Sequence, residues 1–122
     1  MKLHATRADG VNTITGYGEG YVIVNGERHA SSVVVLPDRI EPWDRKEFSQ
    51  LTEADFQFLQ RLGVEIVLLG TGARQRFPHP RLTAALARAG IGLEVMDTQA
   101  ACRTYNILVA EARKVAAALL FA

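Results

Sequence analysis

Three short aliphatic runs set the limits on what this chain can fold into: SSVVVL at 31–36, VEIVLL at 64–69 and IGLEVM at 91–96. The first and second are apolar on nearly consecutive positions, which suits strands covered on both faces, and all three are too short for a core helix. Segments of helical periodicity follow the runs. The order strand, helix, strand, helix, strand, helix predicts a small α/β domain with a mixed sheet, in which the three runs lie parallel and are joined by right-handed crossovers.

Turn and cap chemistry supports the same outline. Asn25-Gly26 sits between YVIV and ERHASSVVVL and predicts a type I′ hairpin, because both residues tolerate positive φ. Strands are expected near 20–24 and 28–36, the hairpin extending the sheet by an antiparallel partner. A helix is expected to start at Thr52, with Asp55 as the acid of a capping box, Leu51 stapled onto Phe56, and Gly63 as its stop. Pro80 opens a second helix that Gly90 ends. From Thr98 almost to the C-terminus the chain is rich in Ala, Leu, Glu, Arg and Lys and free of Gly and Pro, so one long helix is expected there. On that helix Ala101, Tyr105, Leu108, Ala112, Val115 and Leu119 form the core face.

With 122 residues the chain fits one domain spanning 1–122. A net charge of +1 excludes a dedicated nucleic-acid binder, which needs a concentrated basic face. The charge is uneven: residues 62–122 carry seven Lys and Arg against four Asp and Glu. One cysteine leaves no internal disulfide and no cysteine-based zinc site, and His4, His29 and His79 show no metal-ligand spacing, so no metal and no cofactor are expected. No apolar run approaches the length of a membrane helix and no secretory h-region is visible. The expected setting is therefore cytoplasmic, without membrane insertion.

The stretch LLGTGARQRFPHP at 68–80 is the place most like a ligand site. Gly70 and Gly72 match two glycines of a dinucleotide fingerprint, but Gln75 stands where the third belongs and the helix begins too late to offer its amides to a pyrophosphate. Two readings remain open. Gly70, Thr71 and Gly72 form a tight structural exit from a buried strand, or they join Arg74, Arg76 and the start of the last helix at Thr98 in a small-anion site at the carboxyl ends of the strands. Cys102, beside Arg103 in the first turn of that helix, is either a semi-buried inert thiol or a reactive thiolate favoured by the helix end. Ser31 and Ser32 lack a nucleophile elbow, His79 between two prolines reads as a rigid turn residue, and Glu111 reads as part of a surface charge cluster. Trp43 and the apolar tail through Leu120 and Phe121 either close the core or form a partner surface. Small α/β domains with such tails often pair, so a homodimer is the expected self-association.

The segments SSVVVLP, PWD, LLGTGARQRFP, GLEVMDT and AACRTYNILVAEARKVAAALL carry a resemblance. Over residues 15–121 the chain resembles a widespread small family of uncharacterised proteins that includes the mitochondrial assembly factor 3 of NADH:ubiquinone oxidoreductase and the adipogenesis-associated domain protein. It looks like a stand-alone bacterial member. The matching positions are Pro42, Trp43, Gly70, Thr71, Gly72, Gln75, Arg76, Thr98, Ala101, Thr104, Tyr105, Asn106 and Arg113. The resemblance implies a three-layer α/β fold with a central mixed, mainly parallel sheet, helices on one side and a β-hairpin plus helix on the other. It implies no agreed catalytic residue or cofactor. The expected function is thus a non-enzymatic interaction or accessory protein with an unidentified protein partner; the alternative is a small-ligand or anion-binding protein, even an enzyme, working at the GTGARQR loop.

Overall fold

The computed structural model describes residues 10–44 and 47–121; His4 lies outside them. The chain first builds a three-stranded antiparallel sheet from β1 (Ile14–Gly18), β2 (Tyr21–Val24) and β3 (Glu27–His29). Asn25 and Gly26 take φ of 53° and 83° at the β2–β3 connection, the paired positive values that the predicted hairpin turn requires.

The five-stranded sheet has the order β5–β4–β8–β6–β7, with β4 at Val33–Val35, β5 at Ile40–Pro42, β6 at Ile66–Thr71, β7 at Gly92–Met96 and β8 at Val115–Leu120. Helix α1 (Glu53–Gln60) precedes β6, α2 (Pro80–Arg88) links β6 to β7, and α3 (Thr98–Ala110) links β7 to β8. The Thr52–Asp55 capping box is present, with the Thr52 amide donating to Asp55 Oδ2 at 2.8 Å.

Alternate residues along the strands feed two cores. Val33, Val35, Leu68, Val115, Ala117 and Leu119 face α3 and the three-stranded sheet, meeting Ala101, Cys102 and Tyr105 of α3 and Val22 and Val24 of β2. Val34, Val67, Leu69, Ala116, Ala118 and Leu120 face α1 and α2, meeting Phe56, Leu59 and Leu86. The result is three layers: α1 and α2, the five-stranded sheet, then α3 with the hairpin sheet. This is the α/β class that the family resemblance implies.

Three expectations are corrected. The last helix ends at Ala110, and VAAALL is the central strand β8, every residue of it buried. Alanine and leucine favour helices in isolation, but a slot between two strands buried on both faces outweighs that preference. No Gly or Pro marks the break: Ala112 takes φ of 61°, and the amides of Ala112 and Arg113 return to the carbonyls of Val109 and Leu108, a Schellman closure built without glycine. Second, the run expected as one strand over 28–36 divides, since the chain leaves β3 in one sheet and enters β4 in the other. Third, β4 does not belong to a parallel set. It runs antiparallel to both β5 and β8, while β6 pairs parallel with β7 and β8, so parallel and antiparallel pairings are equal in number.

Candidate functional site

The GTG stretch leaves the carboxyl end of β6 and meets the start of α3, so the βαβ topology brings together the two segments expected to form the site. Thr98 is the hub. Its hydroxyl donates to the Leu120 carbonyl at 2.5 Å and accepts the Gly72 amide at 2.8 Å, while its own amide donates to the Gly72 carbonyl at 2.9 Å. These bonds tie β6, α3 and β8 together at one end of the sheet. Gly70 is required by proximity: a Cβ there would lie 3.0 Å from both Cα and Oγ1 of Thr98 and 3.2 Å from Leu119 Cδ2.

Thr71 is fully buried and organises the loop that follows. Its hydroxyl donates to the Arg74 carbonyl at 2.7 Å and accepts the Arg76 amide at 3.1 Å. Gln75 donates to the Val95 carbonyl at 2.8 Å. Arg76 turns back on its own strand, with Nη2 donating to the Thr71 carbonyl at 3.2 Å and the guanidinium 4.8 Å from the centre of the Phe48 ring. Gly70, Thr71, Gly72 and Thr98 therefore converge, Arg76 folds back onto Thr71, and Arg74 is exposed. The Gly72 amide that a phosphate would need is already bonded to Thr98.

The other shared positions hold the fold in the same manner. Tyr105 Oη donates to the Asn12 carbonyl at 3.0 Å, and burial pushes its phenol well above the usual value. The Asn106 side chain accepts the Ile14 amide at 2.9 Å and donates to the Ile14 carbonyl at 2.7 Å, clamping β1 beside its register shift. Arg113 donates to Glu65 Oε1 at 2.6 Å on the surface.

Cys102 is fully buried against the hairpin sheet. Burial pushes its thiol from 9.0 up to about 12, outweighing the opposing charge of Arg103. Of the two alternatives for this residue, its burial favours the inert thiol, because desolvation keeps the sulfur protonated. Trp43 and Leu120 are likewise buried, in the core under α1 and α2, so neither is available as a partner surface; Phe121 is half-buried. Sequence patterning could not separate an exposed apolar tail from a central strand.

Two features beyond the expected residues stand out. A cleft of about 570 Å³ lies beside Gly72 and Thr98, walled by the Gly18–Gly20 turn, Gln99, Arg103 and Phe121. Phe77, in the loop before α2, is left exposed. An aromatic residue between charged residues and a proline, outside any periodic stretch, was the available signal for it. Among the described residues, no group of three or more His, Cys, Asp or Glu side chains could hold a metal ion, and no helix is long and apolar enough to cross a membrane.

Comparison with known proteins agrees with this architecture. The chain is 35% identical over 109 residues to the bovine NADH dehydrogenase [ubiquinone] 1 alpha subcomplex assembly factor 3, which covers 88% of the chain and 59% of that protein. It thus spans about six-tenths of the length of the curated relative. A crystal structure from Bordetella parapertussis superimposes with a TM-score of 0.87 at 40% identity, covering 92% of this chain and 97% of the other. A solution structure from Bordetella pertussis, described as a Mth938-like domain, gives a TM-score of 0.82 at 35% identity, covering 98% and 92%. The model of the family described as "Protein of unknown function (DUF498/DUF598)" matches residues 14–120, and the chain belongs to that family.

Proposed function

We propose that the protein is a non-enzymatic accessory module that works by binding another protein. One observation carries this reading: the polar groups at the most distinctive positions are spent on internal backbone partners. Thr71, Thr98, Tyr105 and Asn106 each bond to main-chain atoms, so none of these four side chains is left free to act on a substrate. The similarity to an assembly factor supports the same direction. We place this work in the cytoplasm, with the chain acting as one folded unit that self-associates as a homodimer.

The test is affinity capture of the full chain from its native lysate, with bound proteins and bound small molecules both identified. A stoichiometric protein partner is the expected result. Recovery of a small molecule alone, or turnover by the purified chain, would overturn the reading. Light scattering at high concentration tests self-association, and a strict monomer would remove the homodimer. The second reading is a small ligand in the cleft beside Gly72, where Arg103 shares the lining with the carboxylates of Glu19 and Asp97. Titration of inorganic phosphate against the Arg103 side-chain resonances tests an anionic ligand, since saturable shifts are required.

A further inference from the structure

Phe77 and Ile107 are the large apolar side chains left exposed among the described residues, and Phe77 is the more exposed at 70%. The loop that presents Phe77 is firmly anchored. Thr71 holds the carbonyl of Arg74 and the amide of Arg76, Gln75 is bonded to β7, and Arg76 is laid against Phe48. Pro78 and Pro80 fix φ on the other side, and His79 Nδ1 accepts the Arg81 amide to cap α2. An aromatic ring held out by so constrained a loop loses little freedom when it docks.

The segment of chain that carries that ring is basic. Residues 72–90 contain four arginines and no aspartate or glutamate. Arg81 and Arg88 are exposed and seven residues apart, which places them on one side of α2. With Arg74 they pair with no carboxylate among the described residues. The rest of the chain balances this charge to a net +1, so the basic character is local. A nucleic acid would call for a broader basic face, and a membrane for a larger apolar one. One rigid aromatic among separated cations matches the anatomy of a protein interface, with an apolar anchor and a charged rim.

We infer that Phe77, together with Arg74, Arg81 and Arg88, is a docking surface for an acidic segment of a partner protein that offers an apolar recess to the phenyl ring. This rests on the reading of the chain as a protein-binding module and gives that module its surface. The aromatic ring supplies the anchor and the arginines select for acidic neighbours and speed the encounter.

Photo-crosslinking in cells tests it, with benzoylphenylalanine placed at position 77 and, as a control, at position 107 of the full chain. The expected result is a protein adduct at position 77 whose crosslinked peptide carries more Asp and Glu than Lys and Arg. Its yield should fall by about tenfold or more in an Arg81→Glu/Arg88→Glu background whose circular dichroism matches the wild type. An adduct to a neutral or basic peptide, an adduct insensitive to charge reversal, or one to RNA or lipid overturns the inference. A protein adduct at 107 with none at 77 overturns this surface and leaves the interaction-module reading standing. Protein adducts at neither position, with no partner in the lysate capture, defeat both.

Discussion

Replacing Thr98 by valine keeps the shape of a buried side chain and removes one hydroxyl. That hydroxyl accepts the Gly72 amide at 2.8 Å and donates to the Leu120 carbonyl at 2.5 Å, in a place where Thr98 is only 6% exposed. Valine offers neither atom a partner, and water has little access to replace it. An unsatisfied buried polar group costs about 1–3 kcal/mol, and the carbonyl, with its second lone pair, sits at the low end. The expected loss is about 2–4 kcal/mol. Thr98→Ser keeps both hydrogen bonds and deletes one methyl group, for a loss of about 1 kcal/mol. Urea unfolding measures the contrast: at an m-value of about 1.5 kcal/mol/M, a loss of 3 kcal/mol lowers the midpoint by about 2 M. Equal midpoints for the valine and serine variants would refute the reasoning, because the hydroxyl would then contribute nothing that its shape does not.

Three further outcomes follow from other sites. Ala112→Gly is expected to stabilise the protein by about 0.5–1 kcal/mol, since glycine relieves the left-handed conformation that alanine holds at φ 61°; thermal unfolding checks it, and a lower midpoint would contradict it. The Cys102 thiol ionises near 9.0 when unfolded but only at about 12 when folded, so the unfolded state releases its proton first and stability is lost as pH rises through that window. At pH 8 Cys102→Ala should be the less stable protein, and its deficit should shrink by about 1.4 kcal/mol per pH unit above 9; a constant deficit to pH 11 would mean that the sulfur is solvated. Deleting residues 115–122 removes the strand between β4 and β6 and should abolish cooperative unfolding by circular dichroism, whereas a folded truncated chain would show that β8 is dispensable.

The parts of the fold that were legible in the residues are those fixed by local chemistry. Asn25-Gly26 dictates its turn, Thr52 and Asp55 dictate a helix start, and the alternation of aliphatic runs with helical stretches dictates an α/β class. The part that was not legible is β8. Nothing local distinguishes VAAALL from helix; its conformation is imposed by a vacant position between β4 and β6 and by a Schellman turn that uses alanine where glycine would have announced it. The same strand accounts for Leu120 and β4, since β8 buries Leu120 at the sheet's centre and gives β4 its antiparallel partner.

The candidate site divides in the same way. The glycines after β6 and their meeting with Thr98 could be expected from topology, since successive parallel strands deliver their following loops to one end of the sheet. The fate of the Gly72 amide could not, as it depends on which side chain lies within 3 Å in the folded chain. Burial of Cys102 likewise favours the inert alternative, because loss of solvent outweighs the charge of Arg103 beside it. The exposure of Phe77 is signalled only by its place beside a charged residue and a proline outside any periodic stretch, since a single exposed aromatic leaves no trace in periodicity.

The GTG stretch is a clasp closing β6 onto α3 and β8, with the Gly72 amide occupied by Thr98. Native-state hydrogen exchange at the Gly72 amide tests it most directly. Protection equal to that of the amides in β6 and β8 is expected there, released only when the whole sheet opens. Exchange at Gly72 as fast as in solvent-exposed loops would contradict it and would return the stretch to service as a ligand cradle.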